Sequence, residues 1–178
     1  MTENDQKQIL AWRTDPEISR LMYSDVQTPS LARQIEWFKQ ISEKKDYEYW
    51  VIESGGVPVG VANLAAFDAE HSRTDWAFYL GDRSKRGSGL GAKVEYAIIF
   101  YVFFHLKLCK LCCQVLSNNL EVVRLHEKFG FEREGVLRHH FHRGGEWLDV
   151  YLLSLHAEVA RQRGYDQKPI RILEEESK

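Results

Sequence analysis

The spacing of apolar positions divides the chain into short, alternating elements. Near the start, Ile9, Leu10, Trp12, Ile18 and Leu21 predict a helix interrupted at Asp15-Pro16, because a proline breaks a helix already under way. A second helix opens after Thr28-Pro29-Ser30, with Ser30 as N-cap and Leu31, Ile35, Phe38 and Ile41 on one face. Aromatic and β-branched residues from Tyr47 to Ile52 predict a strand, Gly55-Gly56 a turn, Val57 to Phe67 a returning strand and Asp75 to Leu80 a third. Leu90 to Leu106 is apolar on nearly every side, which predicts a buried helix. A short strand, Leu111 to Leu116, and a short helix, Leu120 to Phe129, follow, with Gly130 placed to end the helix in a left-handed residue. Glu132 to His142 and Trp147 to Leu155 make two last strands joined through Gly144-Gly145. This order predicts an α/β (mixed α+β) fold: a central mixed sheet with parallel inner strands, flanked by helices. One domain is expected over residues 1–160. Residues 161–178, with Pro169 and the acidic Glu174, Glu175 and Glu176, form a tail expected to be partly disordered.

Composition acts by exclusion. The 24 basic and 26 acidic side chains leave a net charge of −2, which argues against a general nucleic-acid binder. The longest unbroken apolar run, Tyr96 to Phe104, falls well short of the roughly 20 residues of a membrane helix. The polar start, Met1 to Gln8, has no apolar signal region, so a cytoplasmic protein is expected. Three cysteines bunched in one segment make no disulfide framework. His105, Cys109, Cys112 and Cys113 have the types of a zinc site, but neighbouring strand residues point to opposite faces, so no metal is expected. His139, His140, His142 and His156 read as a surface group.

The segment richest in chemistry is Arg83-Ser84-Lys85-Arg86-Gly87-Ser88-Gly89-Leu90-Gly91-Ala92, between a predicted strand and a predicted helix. The first turn of a helix presents unpaired N–H groups and positive potential, and glycine lets a ligand approach the backbone closely. Together they make a pyrophosphate cradle. The alternating Gly87, Gly89 and Gly91 do not match the dinucleotide fingerprint, and Lys93-Val94 does not match a Walker loop.

Arg86, Gly89 and Gly91 have the spacing R/Q-x-x-G-x-G/A, and Asn119, Val122, His126, Lys128, Gly130 and Phe131 follow the pattern N-x-x-A/S-x-x-x-Y-x-K-x-G-F. On these motifs, in this order, the chain resembles the GNAT superfamily of acetyl-CoA-dependent N-acetyltransferases over about Asp5 to Leu155. The resemblance implies the GNAT fold, with splayed parallel strands, and acetyl-CoA as co-substrate. It implies that the amides of Gly87, Ser88, Gly89, Leu90, Gly91 and Ala92, with Arg86, hold the pyrophosphate. Tyr79 and Leu80, ending the third strand, would pair with pantetheine, and an N–H near Leu80 would meet the oxyanion. Asn119 would bind near the cofactor arm, and Lys128 could reach a phosphate. The sequence departs from the family in two places: little chain precedes the first helix, where a strand is usual, and His126 replaces the usual tyrosine. Imidazole ionises near neutrality, so His126 is expected to protonate the departing CoA thiolate, directly or through water. His71, Asp75, Glu36 and Glu48 are general-base candidates by type alone.

The N-terminal third selects the acceptor in this superfamily. Trp12-Arg13-Thr14-Asp15-Pro16, Leu21-Met22-Tyr23 and Glu36-Trp37-Phe38 resemble the pseudaminic-acid-pathway enzymes that acetylate the 4-amino group of a nucleotide-linked 4-amino-4,6-dideoxy sugar, with Thr14 in place of an asparagine. The resemblance implies a small-molecule amino-sugar nucleotide held by Met22, Tyr23, Trp37 and Tyr79, with Gln114 bonding a sugar substituent. A W-R-x-x-P opening is also found in ribosomal-protein and polyamine acetyltransferases. A ribosomal-protein or peptide N-terminus is the second reading, a polyamine acceptor a third, and a non-enzymatic CoA-binding domain a fourth. The superfamily often forms homodimers, although no interface patch stands out in the sequence.

Overall fold

Capping and turn chemistry set the element boundaries in the computed structural model, which describes residues 1–24 and 29–167. Helix α1 (Gln6–Thr14) stops at Asp15, whose extended backbone and side chain, accepting from Glu17 N at 2.8 Å, start α2 (Pro16–Ser19). Before α1 the described chain makes a single 3-10 turn, Glu3–Asp5. Helix α3 (Leu31–Ser42) opens after Ser30 as predicted, but its buried face is turned: Gln34 and Ile41 are buried while Leu31 is exposed. The cause is a polar contact that periodicity cannot reveal. Gln34 Nε2 donates to Gln6 Oε1 at 2.9 Å, and Gln6 Nε2 donates to Thr2 O at 2.8 Å, so both buried amides are paired. Ser30 occupies the N-cap position without a side-chain capping bond, and Thr28 lies outside the described residues.

The strands are β1 (Glu48–Ser54), β2 (Val57–Asp68), β3 (Arg73–Leu80), β4 (Lys110–Leu116), β5 (Glu132–Arg143) and β6 (Glu146–His156). They form a six-stranded sheet in the order β1-β2-β3-β4-β6-β5. All pairs are antiparallel except β3 with β4. Gly55-Gly56 and Gly144-Gly145 turn the two hairpins with positive φ, as two-residue loops require.

Two clusters cover the two faces of the sheet. On one face, α4 (Leu90–Phe100), the wide turn that extends it through Tyr101–His105, and α5 (Leu120–Phe129) bury Ile99, Val102, Phe103, Leu111, Val123 and Leu155. On the other, α1 and α2 bury Ile9, Trp12 and Ile18 against Val61, with Tyr49, Tyr79 and Met22 packed alongside. The β5–β6 hairpin reaches α2 through Arg143 Nη1, which donates to Ser19 O at 2.6 Å.

The domain extends beyond residue 160. Helix α6 (Ala157–Gln162) follows β6, and Tyr165 locks onto the body: its hydroxyl donates to Phe129 O at 3.1 Å and its carbonyl accepts from Tyr96 at 2.9 Å. Residues 168–178, with Pro169 and the acidic run, lie outside the described residues.

Gly81, buried just after β3, is the tightest steric point. A Cβ there would overlap the indole of Trp12, and Gly81 N already donates to Val59 O at 2.8 Å. Gly81→Ala therefore forces the indole off its seat. A loss of roughly 1–3 kcal/mol is expected from such overpacking, read as a lower urea midpoint at unchanged slope.

Candidate active site

Parallel pairing of β3 with β4 covers Arg73–Lys110, Thr74–Leu111 and Asp75–Cys112 and then ends. Beyond it each strand follows its antiparallel neighbour, β3 with β2 as far as Leu80–Gly60 and β4 with β6 as far as Leu116–Val150. The parted edges open a cleft of about 890 Å³ that reaches both faces of the sheet. Its lining brings together residues that the sequence placed in three separate motifs.

The donor end is the glycine loop. Gly89 is the N-cap of α4 with φ of 82°, and Gly87 has φ of 74°. Nothing lies within 4 Å of a Cβ built at either, so their role is conformation and close approach rather than packing. The helical ladder begins with Lys93 N on Gly89 O at 3.2 Å, which leaves the amides of Leu90, Gly91 and Ala92 as the free first turn. Arg86, Gly87, Gly89, Gly91 and Ala92 line the cleft here. Ser88 is outside that lining: its hydroxyl donates to Lys85 O at 2.6 Å and its backbone N–H to the same carbonyl at 3.3 Å, so its amide is not a free donor. The loop offers free backbone donors suited to an anion such as a pyrophosphate, and the edge of β3 beyond Asp75 leaves main-chain groups unpaired with β4. Asn119 lines the cleft while its amide reaches Leu21 O at 3.5 Å. Lys128 is exposed near the end of α5, outside that lining.

The other end, where the resemblance places the acceptor, is aromatic. Met22, Tyr23, Trp37, Tyr79 and Gln114 all line the cleft. Trp37 packs edge-on to Tyr49 at 5.4 Å, and Tyr23 rests on Phe141 of the last hairpin at 5.4 Å. His140 stacks on Tyr23 from outside, and His139, His142 and His156 are exposed. Tyr47 and Tyr49, read from the sequence only as strand residues, join this wall, as does Arg13, which the sequence marks only within the Trp12–Pro16 motif. Arg13 lies 5.4 Å from the Trp37 ring centroid, and its buried Nε has no hydrogen-bond partner among the described residues. The Tyr79 hydroxyl is likewise buried and unpartnered there, and burial pushes its ionisation far above the phenol's usual range.

Strand alternation sorts the titratable groups at the waist of the cleft. Asp75 and Tyr79 share the acceptor face of β3, whereas Trp76 and Phe78 face α4 and α5. Asp75 is half-buried, and desolvation raises its carboxyl above the ordinary value despite the opposing charge of Arg73. The other base candidates lie elsewhere: His71 pairs with Asp68 at the surface, Glu48 accepts from Tyr101 at 3.0 Å, and Glu36 is exposed. His126 is almost wholly buried at 3% exposure, edge-on to Trp76 at 5.3 Å, with its ring lining the floor. Its Nδ1 meets Glu95 Oε1 at 2.8 Å. Glu95 carried a signal that could have flagged it: a lone carboxylate in a buried apolar helix needs a partner. Cys113 is buried in the core and Cys112 shares Asp75's side, and no group of three metal-binding side chains converges among the described residues.

Residues 1–132 match the family model described as an acetyltransferase (GNAT) domain. The chain is 30% identical over 136 residues to the SPbeta prophage-derived uncharacterized N-acetyltransferase YokL of Bacillus subtilis, covering 76% of each. It is 25% identical over 150 residues to an aminoglycoside N(6')-acetyltransferase type 1 of Klebsiella pneumoniae, covering 77% of this chain and 74% of that one. Among solved structures, a spermidine N-acetyltransferase from Vibrio cholerae in complex with CoA and spermine superposes with a TM-score of 0.82 at 19% identity, over 89% of this chain and 93% of that one. The chain belongs to the GNAT acetyltransferase family and is an acetyl-CoA-dependent N-acetyltransferase. No helix among the described residues is long and apolar enough to cross a membrane.

Gly89→Ala should separate loop conformation from overall stability. Holding alanine in the left-handed region costs roughly 1–2 kcal/mol, so CoA affinity is expected to fall about tenfold in a calorimetric titration. Gly55→Ala imposes the same strain in a remote hairpin, where φ is 64°, and should leave CoA affinity unchanged.

Proposed function

We propose that the acceptor is the primary amine of a nucleotide-linked amino sugar, such as a 4-amino-4,6-dideoxy sugar, acetylated by direct attack on acetyl-CoA. The observation that carries this reading is Arg13, a guanidinium with an unpaired buried N–H set into an aromatic wall. An arginine in that position favours an anion such as a diphosphate, since its fork matches phosphate oxygens. It repels a polycation. The apolar faces of Met22, Trp37 and Tyr79 suit a deoxy-sugar ring, and Tyr23 at the open end suits a stacked base. Gln114, exposed in the cleft, suits a sugar substituent. A cytoplasmic site of action fits the three free thiols.

In this reading the amine enters from the α1–α3 side and attacks the thioester held along β3. Asp75, on that face, takes the ammonium proton directly or through one water, and its raised carboxyl suits it to the task. The C–S bond breaks toward the α5 side, where His126 gives a proton to the thiolate. Acid and base thus act from opposite faces of the same gap. A polyamine is the second reading, favoured by Asp75 and Glu121 in the lining and by the spermidine acetyltransferase likeness, which carries the fold alone.

CoA release should be fast with a UDP-linked 4-amino-4,6-dideoxy-N-acetylhexosamine and slow with spermidine or a ribosomal-protein N-terminal peptide. The reverse order would replace the sugar reading. Arg13→Ala is expected to raise KM for the sugar nucleotide about 10- to 100-fold at similar kcat, the loss of one charged hydrogen bond. Asp75→Asn should abolish the acidic limb of the rate profile. His126→Phe should lower kcat by about 100-fold or more, and wild-type turnover in that variant would reduce His126 to a packing residue.

A further inference from the structure

We infer that Glu95 is a positioning residue that keeps the proton on His126 Nε2, so that the two side chains form one acid unit beneath the thioester. The inference rests on the reading of His126 as the proton donor to CoA. Glu95 is fully buried on α4 and His126 nearly so on α5, with Nδ1 and Oε1 2.8 Å apart. That contact uses Nδ1 and leaves Nε2 as the ring nitrogen available to the cleft that His126 lines.

The proton count follows from burial. A dry site disfavours net charge, and the pair is neutral overall in three arrangements. In one, a carboxylate faces an imidazolium, which bears hydrogen on both nitrogens. In the second, a carboxylic acid donates from Oε1 to Nδ1, and the neutral ring carries its hydrogen on Nε2. In the third, the acid proton sits on Oε2 and Nδ1–H donates to Oε1, but Oε2 is buried with no acceptor in reach among the described residues, so its hydroxyl would go unpaired. The first two place a proton on Nε2. Glu95 Oε2 has no hydrogen-bond partner among the described residues, which a bare carboxylate would tolerate poorly. Desolvation raises the Glu95 carboxyl, while the hydrogen bond and charge of His126 pull it back. Few other charges bear on the pair. Trp76 and Phe131 contribute rings, Asp75 faces the opposite side of β3, and the Cys113 thiol on β4 is itself held neutral by burial and by Glu95.

The step balances. As the amine nitrogen bonds to the acetyl carbon, the C–S bond breaks and its electron pair goes to sulfur. Nε2–H supplies the proton that makes the CoA thiol. The ammonium proton leaves through Asp75 to solvent, and solvent returns one to Nε2.

Glu95→Gln keeps an acceptor for Nδ1–H but removes the charge. It is expected to lower kcat about tenfold, to leave KM for both substrates unchanged, and to move the alkaline limb of the kcat profile to lower pH by about one unit. An unmoved limb and unchanged kcat, with His126→Phe still impaired, would overturn the role of Glu95 and leave that of His126 standing. If His126→Phe also turns over normally, both readings fall. Should Glu95→Gln not fold, 15N-labelled imidazole spectra of the wild type decide: a His126 signal, assigned by its loss in His126→Phe, that keeps its Nε2 proton and shows no titration between about pH 5.5 and 8 supports the pair. One that titrates like an exposed histidine, near about 6.5, overturns it.

Discussion

The constraint on which the rest depends is the brief parallel pairing of β3 with β4. A parallel pair is somewhat weaker per residue than an antiparallel one, and here each strand has a long antiparallel partner on its other side. The right-handed twist of a sheet rotates neighbouring strands apart. With only Arg73–Asp75 and Lys110–Cys112 holding the seam, the two half-sheets diverge along their own ladders. The resulting gap needs no loop to build it. It leaves main-chain hydrogen-bonding groups of β3 free along one edge, and it ends where α4 begins with its unpaired amides.

That geometry also distributes the chemistry. Successive residues on β3 point to opposite faces, so Asp75 and Trp76 assign the acceptor side and the core side within one peptide unit. The face that carries Asp75 is closed by α1, α2 and the last hairpin, which meet through Arg143 and Tyr23. The core face is closed by α4 and α5, which meet through Glu95 and His126. Asp75 lies on one side of the gap, its carboxyl raised by desolvation, and the Glu95–His126 pair lies on the other, where desolvation raises the Glu95 carboxyl.

Much of this was legible in the sequence, for reasons that can be named. Element order followed from periodicity, because each strand or helix has one face against a core. The loop followed from glycines at positions where only backbone conformation matters, as the open space around Gly87 and Gly89 confirms. What was hidden depended on partners distant in sequence. The turned face of α3 comes from Gln34 meeting Gln6. The place of Arg13 in the wall depends on Trp37, on another helix. Glu95 could be suspected from its apolar surroundings, but its partner could not be named. Helix α6 is too short to show a period, and Tyr165 looked like tail until its hydroxyl found Phe129 O.

The substitution of histidine for the family's usual tyrosine has a physical consequence that the buried carboxylate answers. A phenol ionises near 10 and a cysteine-like thiol near about 8.5, so a tyrosine holds its proton at neutrality and can yield it to a departing thiolate without help. An isolated imidazole, near about 6.5, is largely neutral at pH 7. Burial alone would make this worse, since desolvation drives a histidine toward its uncharged form. A carboxylate 2.8 Å from Nδ1 gives the ring a buried partner on the side away from the cleft. The fold has room for that partner because α4 and α5 cross directly behind Trp76, so one residue on each can meet in the core. An apolar pair of the same size would usually be at least as stable as a buried ion pair. Under the proposed mechanism the pair is accounted for by the proton it holds for the thiolate, rather than by its packing.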